Sequence, residues 1–197
     1  MLTAQGLECR RGGRLVFADL DLALEGGDAL VLRGPNGSGK SSLLRILAGL
    51  LRPAAGAIAW AGRTIDADHR GRLHYVAHSD ALKPALSPRE SLDYAARLAG
   101  GARHVDPALE TFGLGRLAAL PAHFLSAGQR RRTALARLLA TPRPLWLLDE
   151  PGVGLDRANR TRLEGVIQRH RDEGGIVVVA THGDVAVRAP LVLDFPE

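Results

Sequence analysis

Short apolar runs along this chain alternate with segments whose apolar residues recur at helical spacing. Short, mostly apolar runs predict strands, and they lie at 2–7, 15–24, 29–32, 57–60, 73–77, 145–148, 176–180 and 191–194. Apolar residues spaced by three or four positions predict helices, and these lie at 40–50, after Ser87, after Ser126 and at 160–170. Buried strands that alternate with helices favour an α/β fold around a largely parallel sheet.

Length and cysteine content narrow the class of protein. The 197 residues fit one domain, since domains commonly contain about 100–200 residues. No apolar run reaches the roughly 18 residues that suggest a membrane span. The N-terminus lacks a charged leader followed by an apolar stretch, and Cys9 is the single cysteine, which suits a reducing compartment. We therefore expect a cytoplasmic location.

The positive charge of the chain changes this picture little. The formal net charge is +5, and all but two of the 26 basic residues are arginines, the lysines being Lys40 and Lys83. A basic balance can indicate nucleic acid or anionic lipid. Aromatic residues make up only 4%, which leaves few rings to stack on bases. We predict no nucleic-acid partner.

A glycine-rich segment between the strand at 29–32 and the following helix predicts a phosphate site. It has the P-loop spacing of glycine, four residues, then glycine-lysine-serine, and consists of Gly34, Pro35, Asn36, Gly37, Ser38, Gly39, Lys40, Ser41 and Ser42. Glycines let backbone N–H groups turn towards phosphate oxygens, and the helix N-terminus favours the same anion. Lys40 is predicted to reach the β- and γ-phosphates of a nucleotide, and the Ser41 hydroxyl to bind Mg²⁺.

Two carboxylates end the strand at 145–148. Side chains alternate along a strand, so Asp149 and Glu150 are expected to point in different directions. Asp149 is the candidate for the Mg²⁺ side, and Glu150 for orienting the attacking water. His182 follows the strand at 176–180, at the strand end where doubly wound sheets bind ligands, and is a candidate sensor of the γ-phosphate. Taken alone, such residues are also typical of a solvated strand end.

A second anion site is predicted further along the chain. Ser126, Ala127, Gly128 and Gln129 begin a helix, whose free N–H groups attract an anion. The series of P-loop, this segment, the acid pair, Gly154-Leu155-Asp156 and Thr181-His182 resembles the ABC ATPases along nearly the whole chain. The resemblance implies the P-loop NTPase fold of ABC ATPase type, with a mostly parallel sheet core, an antiparallel β part and an inserted helical lobe at about 80–140, in one domain at 1–197.

The resemblance also implies ATP and Mg²⁺ as cofactors and a head-to-tail homodimer. In it, residues 126–129 of one subunit close on the ATP held by the other subunit's P-loop, and Asp156 belongs to the loop that joins the two sites. Two departures stand out. Where the family has a glutamine near Mg²⁺, this chain offers His78 or Ser79. The region 8–11, where the family often has an aromatic for adenine, has none, so an arginine plane or Phe17 is left to stack.

The segments 73–83 and 125–129 resemble the haem exporter ATPase subunits of cytochrome c biogenesis. This implies an ATPase on the cytoplasmic face of the inner membrane, paired with the permease of that system. The alternatives are the ATPase of another small exporter, a soluble ABC ATPase acting on nucleic acid or ribosomes, and a P-loop kinase or GTPase. The last of these leaves the segment 126–129 unexplained.

Overall fold

The computed structural model describes residues 1–100 and 104–196. In chain order, the strands and helices are β1 (Leu2–Arg11), β2 (Arg14–Leu24), β3 (Ala29–Arg33), α1 (Lys40–Leu47), β4 (Ala55–Trp60), β5 (Arg63–Thr64), β6 (Leu73–Val76), α2 (Pro88–Ala99), α3 (Val105–Thr111), α4 (Ala127–Ala140), β7 (Leu145–Asp149), α5 (Arg157–Asp172), β8 (Ile176–Ala180) and β9 (Leu191–Asp194). Short 3₁₀ turns lie at Ala67–Arg72, Gly115–Leu117 and Ala122–Phe124.

Two sheets form the framework. Strands β6-β7-β8-β3-β9 make a sheet in which every neighbouring pair is parallel. Strands β2-β1-β4-β5 make an antiparallel sheet. The expected parallel core and antiparallel part are therefore both present, and the solved structures described below confirm the fold class.

Alternating side chains on β7 explain why its sequence is continuously apolar. Leu145 and Leu147 pack on one face of the parallel sheet, with α1 and the antiparallel sheet. Trp146 and Leu148 pack on the opposite face, with α2 to α5. Both faces are thus covered, as expected for a parallel sheet, and the strand ends at the same edge are left for the loops that carry the polar residues.

Helix α1 ends earlier than its apolar pattern predicted. It stops at Leu47 rather than Leu50, because Gly49 adopts a φ of +66°. The N–H groups of Gly49 and Leu50 bond back to the carbonyls of Ile46 and Arg45, which is the glycine-dependent Schellman ending. The chain then continues towards β4.

The region predicted as a helical lobe contains α2, α3 and α4, which pack on one another around buried side chains such as Leu92, Leu109 and Phe112. Ser87 and Glu90 form a reciprocal cap at the start of α2, as their spacing predicted. No helix within the described residues is long and apolar enough to cross a membrane.

Candidate functional site

The loop between β3 and α1 is built around three glycines in the left-handed region. Gly34, Gly37 and Gly39 have φ values of +138°, +83° and +115°, which other residues rarely adopt. A Cβ at Gly39 would lie 2.6 Å from Val16 Cγ1, and one at Gly34 would lie 2.8 Å from the carbonyl oxygen of Phe195. The loop therefore needs glycine both for its backbone and for its packing.

Two polar groups of this loop suit an anion. Lys40 is buried, and its Nζ donates to the carbonyls of Gly34 at 2.6 Å and Pro35 at 2.8 Å, which holds the ammonium against the loop. The Ser38 hydroxyl is buried and has no hydrogen-bond partner among the residues that the structure describes, whereas a buried polar atom of this kind normally has one. A phosphate in the loop would supply acceptors for both groups.

The first acid meets the start of α1. Asp149 is buried, and its Oδ1 accepts a hydrogen bond of 3.0 Å from the Ser41 hydroxyl. Hydroxyl and carboxylate oxygens are the ligands that Mg²⁺ takes from proteins, together with water and phosphate. The described residues contain no group of three or more His, Cys, Asp or Glu that could hold a metal. The pair thus fits a cation whose remaining ligands come from nucleotide and water.

The second acid, Glu150, lies near His182. Glu150 has a positive φ of +48°, so the chain turns sharply where β7 ends, and its N–H donates to the carbonyl of Ala180 at 2.9 Å. Its Oε1 lies 3.4 Å from Nε2 of His182. Burial raises the pKa of Glu150, an effect that the neighbouring imidazole opposes. His182 Nε2 also lies 3.0 Å from the Asn36 Oδ1, so loops after β3, β7 and β8 meet here.

One cavity of about 590 Å³ collects most of the predicted site. The predicted residues that line it are Asn36, Gly37, Gly39, Lys40, Ser41, Ser42, His78, Asp149, Glu150 and His182. His78 faces this cavity, whereas Ser79 lines a different one. Arg11 is also in the wall, while Phe17 is engaged edge-on with Phe195 at 5.8 Å between ring centres.

The segment 126–129 is formed but lies outside this cavity. The Ser126 hydroxyl accepts from the Gln129 N–H at 3.2 Å, and Gln129 Oε1 accepts from the Ser126 N–H at 2.7 Å. Ser126 and Ala127 are exposed, and a Cβ at Gly128 would lie 3.0 Å from the Gly154 carbonyl. The structure therefore sets this segment beside the loop 154–156, not beside the same chain's P-loop.

Asp156 likewise lies outside the cavity. It caps α5, since its Oδ1 accepts from the Asn159 N–H at 2.8 Å, and this hydrogen bond holds the pKa of Asp156 below its usual range. The roles assigned to the individual site residues from the sequence stay predictions; the structure gives their positions.

Sequence analysis missed Arg131. In the sequence it belongs to a run of three arginines beside the segment 126–129, yet only 4% of its side chain is exposed. Its position could have been found from spacing, since Arg131, Leu135 and Leu138 share one face of a helix. The latter two belong to the core.

The fold and the site define a class of protein. A P-loop follows a strand of a parallel sheet, an antiparallel sheet packs on α1, and a second capped helix start stands apart from the P-loop. The sequence model of the ABC transporter family matches residues 17–153, which is more than half of the chain. The chain therefore belongs to the ABC transporter family, as the series of motifs predicted.

Within that family, the chain is similar to proteins named cytochrome c biogenesis ATP-binding export protein CcmA. The one from Rhodospirillum rubrum is 55% identical over 197 residues, covering 98% of this chain and 84% of the relative. The one from Paramagnetospirillum magneticum is 56% identical over 191 residues, covering 93% and 88%. The resemblance to ATPase subunits of cytochrome c biogenesis is thereby confirmed.

Solved structures agree on the fold. An ABC transporter ATP-binding protein from Pyrococcus furiosus superposes with a TM-score of 0.85 at 22% identity, over 98% of this chain and 96% of that one. A dimeric ATP-binding cassette in a post-hydrolysis state, bound to ADP and Pi, gives a TM-score of 0.82 at 25% identity, over 92% and 88%.

Proposed function

We propose that the chain hydrolyses ATP between two copies of itself, arranged head-to-tail, and drives the haem exporter of cytochrome c biogenesis. The observation that carries this is the split site. One helix start, at Lys40, opens into the cavity with the two acids, whereas the other, at Ser126, is exposed and outside it. A capped helix start attracts an anion, and a second copy of the chain would bring one to it.

Within one copy, the residues divide the work on the nucleotide. The N–H groups of the P-loop, the Lys40 ammonium and the Ser38 hydroxyl bind phosphate oxygens. Mg²⁺, held through Ser41 and Asp149 with His78 in the cavity wall, would neutralise phosphate charge when bound. Glu150 accepts a proton from, and so orients, the water that attacks the γ-phosphate. His182 lies between Glu150 and Asn36, a position from which it contacts the γ-phosphate.

The names of the relatives support a role in export for cytochrome c biogenesis. They are export proteins of cytochrome c biogenesis, and the similarity covers at least 93% of this chain and at least 84% of each relative. On this basis the chain acts at the cytoplasmic face of the inner membrane, as a peripheral subunit bound to the permease of that system. The alternative within transport is another small exporter, whose membrane subunits would select a different substrate.

The membrane partner has a candidate surface on α2. Leu98 and Tyr94 are 72% and 48% exposed, and with Leu82 and Leu86 they line a small depression. Arg137 also lines it, and within the described part of the chain its Nε has no hydrogen-bond partner. An amphipathic cytoplasmic segment of the permease, with apolar side chains for the depression and a carboxylate for Arg137, fits this surface.

Affinity purification from native membranes in mild detergent, with mass spectrometry of the retained membrane proteins, tests the proposal. Wild type is compared with Leu98→Asp and with the control Leu191→Asp, which alters a leucine that is 49% exposed on the edge strand β9. We expect wild type and Leu191→Asp to retain cytochrome c maturation components and Leu98→Asp to lose them, with ATPase activity of the isolated chain unchanged.

Each other result has a definite meaning. Recovery of an unrelated permease would show that the transported substrate is not haem. If no sample retained a membrane protein, the result would contradict a role in transport. Equal retention by Leu98→Asp would place the docking surface elsewhere.

A further inference from the structure

Arg131 holds together segments that carry the site, although it does not reach the cavity. Its guanidinium donates through Nε to the Pro151 carbonyl at 3.2 Å, and through Nη2 to the carbonyls of Asp149 at 3.0 Å and Glu150 at 2.7 Å. Through Nη1 it donates to the Ala77 carbonyl at 2.8 Å and to Asp80 Oδ1 at 3.1 Å. All three guanidinium nitrogens are used.

Most of the partners of this buried arginine are uncharged. Only one of its five acceptors, Asp80, is a carboxylate; the other four are peptide carbonyls. A buried charge is costly unless its hydrogen bonds are made with good geometry, and guanidinium presents its donors in a rigid plane. The five carbonyl and carboxylate oxygens are therefore held in one fixed arrangement relative to α4.

The hydrogen bonds from Arg131 include one to Glu150, whose backbone conformation is rare. Glu150 has its left-handed φ of +48°, a conformation that persists only where the surroundings determine it. Its N–H is held by Ala180 and its carbonyl by Arg131. On the other side, Arg131 holds the carbonyl of Ala77, directly before His78. One guanidinium thus fixes the peptides that carry both Glu150 and His78.

Arg131 also lies two residues after Gln129, in the helix that the segment 126–129 begins. In the head-to-tail dimer on which this inference rests, that helix start contacts the partner copy's ATP, while Glu150 acts on the chain's own ATP. We propose that Arg131 is a positioning residue that couples the two sites. The position that α4 takes at one nucleotide determines, through Arg131, the position of the Glu150 carboxylate at the other nucleotide.

The test uses the full-length chain with Arg131→Lys and Arg131→Met, and Arg132→Lys as the matched control. Arg132 is the next residue on α4, but among the described residues its hydrogen bonds go to the carbonyls of Phe112 and Gly113 in the helical region. We expect both Arg131 variants to lower kcat about 10- to 100-fold, with KM for ATP within about twofold. The Hill coefficient for ATP should fall towards 1, because lysine keeps the charge but not the fork. Arg132→Lys should keep both.

Asp80→Asn provides a milder second variant, since it removes the ion pair while leaving the four carbonyl contacts. It should lower kcat less than Arg131→Lys and leave the melting temperature close to wild type. This variant keeps the question open to measurement if Arg131→Met does not fold. Wild-type kcat and Hill coefficient in folded Arg131→Lys would overturn the proposal. So would equal effects of Arg131→Lys and Arg132→Lys, or a loss of activity that only matches the fraction of folded protein.

Glu150→Gln separates this inference from the proposed function. If Glu150→Gln binds ATP, forms a stable dimer and does not hydrolyse, the catalytic assignment holds, and Arg131 is judged on its own variants. If Glu150→Gln hydrolyses normally, the proposed function itself is wrong at that residue, whatever the Arg131 variants do.

Discussion

Glu150 illustrates how a single residue combines several constraints. Its backbone has a positive φ at the end of β7, its side chain lies near His182, and it is partly buried. The same burial makes ionisation harder, because a charged carboxylate is better solvated by bulk water. Its neighbour His182 offsets part of this effect.

The pH dependence of hydrolysis should reflect this pair. In the proposed mechanism Glu150 works as a carboxylate, and burial raises its pKa, so activity should fall with decreasing pH at a higher pH than an ordinary glutamate, near 4.3, would give. His182→Gln removes an electrostatic contribution that lowers the Glu150 pKa, so the acid limb of kcat/KM should move to higher pH. The measurement is the pH profile of ATPase activity, with His123→Gln, an exposed histidine, as the control. An acid limb that shifts to lower pH in His182→Gln would contradict this coupling.

Residue types and spacing predicted the P-loop, the acid pair and His182, because each belongs to a short motif whose residues are neighbours in sequence. The run 34–42 and the strand ending in Asp149 and Glu150 lie on adjacent elements of known direction. Arg131 was not predicted, because four of its five hydrogen-bond acceptors are backbone carbonyls, 18 to 54 residues away in sequence. Carbonyls leave no trace in residue identity, so sequence alone could not show what this arginine holds.

Helix starts are the elements that matter most for this protein. Both α1 and α4 direct free N–H groups outward, α1 after Gly39 and α4 after Ser126. The end of α1 was mispredicted because apolar periodicity continues past Leu47, whereas Gly49 ends the helix through its backbone. Strand β5, with two residues, and the 3₁₀ turns were too short for any pattern to predict.

The start of α4 can be tested separately from that of α1. Ser126→Arg places a long cation at an exposed helix start, where it would block approach of a second nucleotide-bound copy. We expect nucleotide binding by the isolated chain to stay within about twofold of wild type, and turnover to fall by at least about 100-fold. Fluorescent nucleotide titration and a phosphate-release assay measure the two. Ser126→Thr, which retains the capping hydroxyl, is the control, and loss of binding in Ser126→Arg would argue against a two-copy site.

The whole molecule is stabilised by two apolar clusters on opposite faces of one parallel sheet. Within the region on the α4 side, His74 and His170 are held neutral. Burial, aided by Arg137 and Arg143, lowers the pKa of His74 to about 4, although a hydrogen bond to the Thr141 carbonyl opposes this. Burial also lowers the pKa of His170 to about 4, where its ring stacks on Trp146 at 3.7 Å.

Folding stability should therefore decrease as pH falls from about 6.5 to about 4. In that window the unfolded chain binds a proton at His74 and the folded chain does not, so protonation favours unfolding. The loss is up to about 3 kcal/mol for His74. Urea unfolding at pH 7 and pH 4.5 measures it, and His74→Gln should show a smaller loss than wild type. The control is His123→Gln, and an unchanged loss in His74→Gln would show that His74 titrates normally.

The exposure of Ser126 away from its own P-loop has a genetic consequence. In a dimer of this kind, each hydrolysis site is formed by two copies of the chain. One copy supplies the P-loop, and the other supplies the segment 126–129. In a cell that expresses normal and Ser126→Arg copies together, a mixed pair would carry the arginine at one of its two sites, and the normal copies would still pair with one another. A cell that expresses Glu150→Gln copies would instead sequester normal partners in closed dimers. The first allele would leave the pairs of normal copies active and the second would be dominant, although each strongly lowers the activity of the pure protein.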